Sequence, residues 1–291
     1  MTIEYMKRTR AYYLALGYDR PYVWAHFDEV PFSPLSKPLT QCRVAIVTTA
    51  APFQPDKGDQ GPGAPYNGAA KFYEVYAAPT VPMPDLRISH IAYDRDHTTA
   101  KDSGSYFPLA ALQAAARSGR IGGVADRFFG LPTNRSVRTT LEQDCPALVA
   151  LCGAEGVDAV ILVPNCPVCH QSVALAARCL EQAGIPTVIM GCAKDIVEHV
   201  GVPRFSFSDF PLGNAAGRPH DRASQRDTLL SALDLLERAP VPRTTKTSPL
   251  VWQGPTDWRE DYSNPAKLSA AEIDRRRQAF DAAKDAAKSA R

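Results

Sequence analysis

Short, uninterrupted apolar runs alternate along this chain with stretches of helical periodicity. Residues 43–49 (Arg-Val-Ala-Ile-Val-Thr-Thr), 158–164, 187–190 and 203–207 are runs of four to seven mostly apolar residues, as strands buried on both faces of a parallel sheet are. Residues 85–93 alternate apolar and polar, and 121–130 read as a strand with the paired glycines Gly122 and Gly123. Helices are predicted over 3–16, 107–118, 139–155 with a fresh start at Pro146, 168–183, 193–200 and 221–238. Leu229, Leu230, Leu233 and Leu236 make one apolar side of the last of these. Strand and helix in alternation predict an α/β fold: an open, mostly parallel sheet with helices on both faces, in Rossmann-like or flavodoxin-like layering. Residues 1–240 read as a single α/β domain. Beyond Pro240 the chain turns proline-rich and polar, then opens a charged, alanine-rich helix at the capping box Ser269–Glu272. Residues 241–291 are therefore expected to be a linker and a C-terminal helix, an extension or a homo-oligomer contact.

The strand at 158–164 runs into Asn165-Cys166-Pro167-Val168-Cys169-His170, from which a helix leads out. Ligands bind at the carboxyl ends of strands in open α/β sheets. Cys166 falls near the N-cap and Pro167 suits the first helical position. Unpaired N–H groups and the helix dipole there favour thiolate, so Cys166 is expected to be the reactive sulfur. Cys169 lies within one helical turn and can resolve an intermediate on Cys166 as a disulfide. His170 can add positive charge or move a proton. Two plainer readings stand beside this one. A lone Cys-x-x-Cys can hold a structural metal, although no second such pair is present. Free cysteines are also commonly small buried hydrophobes.

Other chemistry-bearing groups cluster at two places. His90 ends the alternating run and is followed by Asp94, Asp96, His97 and Asp102, candidates for substrate positioning, proton transfer or metal binding. His90 and Asp94, at the strand's end, are the preferred pair, with Thr48 and Thr49 at the end of the first strand beside them. The loop 210–219 carries Gly213, and its backbone N–H groups can hold an anion. The loop after residue 49 contains Gly58, Gly61, Gly63 and Gly68 but neither a GxGxxG fingerprint nor a P-loop ending, which argues against nucleotide binding. Residues 17–42 are broken by Pro21, Pro31, Pro34 and Pro38 and carry Tyr22, Trp24, Phe27 and Phe32, either a strap over the core or a pocket wall.

Composition narrows the classes. Of 291 residues, 33 are basic and 31 acidic, for a net charge of +2, which supports neither nucleic-acid nor membrane-surface binding. No run reaches membrane-spanning length, and the N-terminus lacks a signal-peptide core. Seven cysteines without an export signal point to a reducing cytoplasm, where paired cysteines are catalytic or metal-binding.

Taken in order, Val30–Leu39, Arg43–Thr49, Ile88-Ser89-His90-Ile91-Ala92-Tyr93-Asp94, Asp102 with Phe107-Pro108-Leu109, Gly119–Gly122, Gly156–Val160, Leu162–Pro164, Cys166-Pro167-Val168-Cys169-His170, Gly184–Val188, Pro203-Arg204 and Phe210–Gly213 cover roughly residues 20–240. This ordered set resembles the selenoprotein-B-type subunits of glycine, sarcosine, betaine and D-proline reductases, in particular their short, single-chain relatives. The resemblance implies that Cys166 occupies the position often held by selenocysteine and Cys169 that of the resolving cysteine. It also implies reductive C–N cleavage in complexes with a pyruvoyl-bearing partner chain. Nothing in this sequence encodes such a group, so the amino-acid substrate is not carried over. The expectation is a thiol-based reductase with no bound cofactor or metal. It would act on a small electrophilic substrate and be recharged by a thioredoxin-like or low-molecular-weight thiol donor. Two alternatives are a metal-binding or sensor protein using Cys166, Cys169, His170 and His90, and a cofactor-free cysteine racemase or lyase. The racemase needs a second cysteine at a strand end in the other half of the fold, where Thr48 and Thr49 stand instead.

Overall fold

The computed structural model describes residues 2–20, 22–61, 64 and 67–289. Pro21 and Gly63, named above, lie outside the described residues. The strands are β1 (Arg43–Thr48), β2 (Ala51–Pro52), β3 (Tyr76–Pro79), β4 (Leu86–Arg87), β5 (Gly123–Val124), β6 (Arg127–Gly130), β7 (Ala159–Val163), β8 (Thr187–Gly191), β9 (Arg204–Phe207) and β10 (Thr244–Thr247). The helices are α1 (Tyr5–Ala15), α2 (Leu109–Arg117), α3 (Val137–Thr139), α4 (Cys145–Ala154), α5 (Pro167–Gln182), α6 (Lys194–Val200), α7 (Arg222–Arg238), α8 (Trp258–Asp261) and α9 (Ala270–Ser289).

The main sheet runs β10-β9-β8-β7-β1-β6-β3, with β5 also paired to β1. Every pairing in it is parallel except β3 on β6. Consecutive residues of its central strands face opposite ways, and both sides are apolar. Val44, Ile46, Ile161, Val163, Val188 and Met190 pack with α2 and α7, whereas Ala45, Val47, Val160, Leu162 and Ile189 pack with α4 and α5. Burial on both faces explains why β7, Ala-Val-Ile-Leu-Val, has no polar position. The expected α/β layering is thus the observed one, in the flavodoxin-like variant. Chain order reverses direction across β6, β1 and β7, and the crevice above their carboxyl ends is the switch point of the sheet.

Two local expectations meet a different outcome, and a third gains a detail. Of residues 85–93 only Leu86–Arg87 is strand, paired antiparallel with β2 in a separate two-stranded sheet. The rest loops over the crevice, held where Asp94 N and Thr98 Oγ1 donate to the Leu212 carbonyl. The fresh helical start expected at Pro146 is found one residue earlier: α4 opens at Cys145 with the proline in its first turn. A π turn over Thr140–Asp144 precedes it and accommodates a proline that can neither donate nor tolerate the carbonyl four residues back. Within the stretch read as a linker, Thr244–Thr247 forms β10 on the edge of the main sheet.

The segment at 17–42 is the strap of the two readings offered. Phe27 and Phe32 cover the guanidinium groups of Arg178 and Arg204 at 4.1 and 4.2 Å. Arg204 in turn forms a fully buried ion pair with Glu181 at 2.8 Å. Helices α1 and α9 cross the carboxyl side of the sheet together, with Tyr13 and Phe280 in edge contact at 5.2 Å.

Candidate dithiol site at the switch point

Cys166 is the N-cap of α5. Its backbone is extended (φ −135°, ψ 170°), and its Sγ accepts the N–H of Cys169 at 3.3 Å, with Pro167 at the first helical position. One turn on, Cys169 returns its sulfur to within 2.7 Å of that of Cys166. The loop after β6 places the Thr133 hydroxyl 3.2 Å from Cys169 Sγ. His90 comes from the loop over the crevice. Its Nε2 donates to the Thr49 carbonyl at 2.7 Å, which holds the imidazole beside the two sulfurs. Donor atoms of His90, Cys166 and Cys169 lie within 4.8 Å of one another, all three residues buried.

The proton of the pair is not where the helix dipole alone would put it. Burial disfavours charge on Cys169, but the hydrogen bond from Cys166, the His90 imidazole and the Thr133 hydroxyl outweigh it and hold the Cys169 thiol well below the ordinary range. Burial and the hydrogen bond given to Cys169 push the Cys166 thiol up, against the Cys169 N–H and the Arg135 charge that pull it down. The reduced pair shares one proton across the 2.7 Å contact, and the shifts favour charge on Cys169. The sequence expectation put the thiolate on Cys166, whereas these shifts run the other way, down for Cys169 and up for Cys166.

His170 does not touch either sulfur. Its Nδ1–H donates to the Cys166 carbonyl at 2.7 Å, and its Nε2 accepts the N–H groups of Cys192 and Ala193 at 2.9 and 3.1 Å. Burial lowers its pKa to about 4, so the ring is neutral at pH 7. The expected positive charge beside the thiolate is absent, and His170 instead ties the start of α5 to the turn after β8. Thr49 holds the cysteine loop, its hydroxyl accepting from Asn165 N at 3.1 Å and Nδ2 at 3.2 Å. The Thr48 hydroxyl only caps the Ala50 N–H at 3.1 Å. Asp94 lies away from the sulfurs. One of its oxygens meets His97 Nδ1 at 2.9 Å, and burial raises its carboxyl pKa. Gly213 sits at φ 104° against Thr98 and Ile88, a turn that locks the crevice loop. Neither Asp94 nor Gly213 reaches the cavity over Cys166, nor does either threonine at the end of β1.

That cavity has a volume of about 330 Å³. Cys166 and His90 form part of its wall, while Cys169 lies behind them. Tyr13, Arg135, Tyr262 and Phe280 also line it and have no counterpart among the sequence candidates. Arg135 has φ 57°, a conformation rare outside glycine. Its Nη2 donates to the Tyr13 hydroxyl at 3.3 Å, and its guanidinium lies 4.7 Å from the Phe280 ring centre. Tyr262 is buried, its hydroxyl donating to the Ala92 carbonyl at 2.8 Å. The signal that could have found the Thr133-Asn134-Arg135 segment was its place after a parallel strand next to β1.

Sheet order, crevice and paired sulfurs define a flavodoxin-like α/β protein with a dithiol at its switch point. Comparison with known proteins gives the relation expected from the sequence. The chain is 28% identical over 223 residues to D-proline reductase subunit gamma of Acetoanaerobium sticklandii, covering 76% of this chain and 88% of that one. It is 27% identical over 216 residues to glycine reductase complex component B subunit gamma of Carboxydothermus hydrogenoformans, covering 72% and 49%. It is also 27% identical over 236 residues to sarcosine reductase complex component B subunit beta of Peptoclostridium acidaminophilum, covering 76% and 51%. The chain is thus a relative of reductase-complex subunits, and it spans about half the length of the glycine and sarcosine reductase subunits it matches. No family model matches it, and no solved structure does. Among the described residues, no helix is long and apolar enough to cross a membrane.

Proposed function

We propose that this chain performs the thiol step of a reductase acting on a small electrophilic substrate. The observation that carries the reading is the 2.7 Å contact between two sulfurs of which only Cys166 faces the cavity. The proton of Cys166 passes to Cys169 or is lost to base, and the Cys166 thiolate attacks a carbon bearing a leaving group. A C–S bond forms and the leaving group departs with its electron pair. Cys169 gives any proton it has taken up to the departed leaving group or to base and, as thiolate, attacks Cys166 Sγ. The disulfide forms, the C–S bond breaks, and the carbon keeps the pair and takes a proton. The substrate gains two electrons and the dithiol loses two, which a thioredoxin-like protein or a low-molecular-weight thiol restores. The names of the relatives support a protein partner of the reductase-complex kind.

The test is mass spectrometry of a Cys169→Ser variant exposed to cell extract. A covalent adduct on Cys166 is expected, with none in Cys166→Ser. Adducts confined to other cysteines, or turnover of an identified substrate by Cys166→Ser, would refute the mechanism.

The convergence of His90, Cys166 and Cys169 favours one second reading. Two thiolates and an imidazole suit zinc, with a fourth position open to the cavity. Stoichiometric zinc in protein purified without chelator, lost in His90→Ala, would favour it. Reversible loss of two titratable thiols on mild oxidation would favour the dithiol.

A further inference from the structure

The cavity over Cys166 is lined by Lys71, Arg135 and Lys284, and among the described residues its lining contains no aspartate or glutamate. Elsewhere on the protein half-buried arginines pair with acids: Arg43 with Asp126 and Glu155, Arg218 with Asp221, Arg259 with Asp209. At the cavity mouth the partners of Arg135 are neutral, the Tyr13 hydroxyl and the Phe280 ring. These contacts fix the guanidinium plane and use one of its five N–H donors. The left-handed backbone at Arg135 costs about 1 kcal/mol or more, so the surrounding fold maintains a placement the residue would not choose alone. A recess lined by one sign of charge between aromatic walls concentrates ions of the opposite sign. A zwitterion gains less there, because its ammonium group meets cations and no carboxylate.

We infer that the cavity takes a substrate of net negative charge, a carboxylate or similar anion without an ammonium group, and that Arg135 seats the anion. The inference deepens the thiol reading and rests on Cys166 as the nucleophile that faces the cavity. Iodoacetate and iodoacetamide present the same electrophilic carbon and differ in charge. In each case the Cys166 thiolate forms the C–S bond and iodide leaves.

The experiment compares the alkylation rates of Cys166 in the full chain by the two reagents, located by tandem mass spectrometry. Free glutathione supplies the reference ratio. The iodoacetate-to-iodoacetamide ratio is expected to exceed that reference about tenfold and to shrink as salt is added. Arg135→Gln should collapse the ratio and Arg135→Lys restore most of it. Lys284→Gln, an exposed position on α9, should lower it partly without bearing on folding. A ratio equal to that of glutathione, or one unmoved by both neutralising variants, overturns the inference. Failure of both reagents to reach Cys166 refutes the thiol reading instead. Calorimetry with 3-phenylpropanoate, phenylalanine and 3-phenylpropanamide then decides the anion question without covalent chemistry. Tighter binding of the propanoate, lost in Arg135→Gln, upholds the inference, and equal or absent binding overturns it.

Discussion

Acidification should destabilise this fold through His170 more than through any surface group. The ring is held neutral because its Nε2 accepts two backbone N–H groups at 2.9 and 3.1 Å in a fully buried site. A proton on that nitrogen would face two donors and bring an unpaired charge into the core. The folded pKa is about 4 against an ordinary 6.5. A depressed histidine contributes stability in full above the unfolded pKa, and this stability is lost as pH falls from 6.5 toward 4. At 1.36 kcal/mol per unit the loss over that window is about 3 kcal/mol. Asp94, Glu181 and Asp195, whose pKa values burial raises, act in the opposite sense. They bind protons more readily in the folded state and so offset part of the loss. The difference between wild type and His170→Asn isolates the histidine. Urea unfolding at pH 7 and pH 4 measures it. The wild type should lose about 3 kcal/mol more than the variant over that interval. Equal losses in the two proteins would refute the neutral, double-acceptor assignment.

Three further outcomes follow from the same contacts. Thr49→Val removes the acceptor of two buried donors on Asn165; a loss of about 1–3 kcal/mol in urea unfolding is expected, with slower alkylation of Cys166 as its loop loosens. Gly191→Ala would bring a Cβ to 2.9 Å from the His170 ring, which hydrogen bonds hold at both nitrogens; denaturation should shift by about 1–3 kcal/mol, with the site losing its fixed geometry. Glu181→Gln strands Arg204 in the core, and the cost should approach about 3–5 kcal/mol, whereas a Glu181→Gln, Arg204→Met double variant should recover most of it.

The layering was legible because β1, β7 and β8 are buried on both faces and so spell continuous apolar runs, while α7 keeps one apolar side. The cysteine turn was legible because N-cap, proline and strand end are local features. What failed to show depends on distant partners. β10, Thr-Thr-Lys-Thr, is half exposed at the sheet edge and carries no apolar run. Residues 86–90 read as alternating in sequence, but Ser89 is buried along with Leu86, Ile88 and His90, and these residues meet the core and the crevice rather than a sheet neighbour. His170 is adjacent to Cys169 in sequence, yet one helical turn carries its ring to the Cys166 carbonyl and the turn after β8. Arg135 and Phe280 come together only because α1 and α9 cross the carboxyl side of the sheet.

The proton's location follows from comparing local donors with the helix end. Both sulfurs are almost wholly buried, so desolvation opposes charge on each. A helix N-terminus is worth up to about 1–2 kcal/mol in partly buried geometry, and Cys166 receives it with one N–H at 3.3 Å. Cys169 Sγ lies 2.7 Å from the Cys166 sulfur and 3.2 Å from the Thr133 hydroxyl, and with charge on Cys169 both donate to it, each at about 1.5–3 kcal/mol for a hydrogen bond to a charged acceptor. Two such donors outweigh one helix end. In the proposed mechanism the resting charge therefore sits on the sulfur that cannot meet the substrate, and the exposed sulfur keeps its proton until that proton crosses the short contact between them. The donors that hold this arrangement arrive on the loop after β6, the loop over the crevice and α5. Thr49, at the end of β1, holds the crevice loop and the cysteine loop at once by accepting from His90 through its carbonyl and from Asn165 through its hydroxyl. Only the reversal of strand order across β6, β1 and β7 brings those elements within reach of one pair of sulfurs.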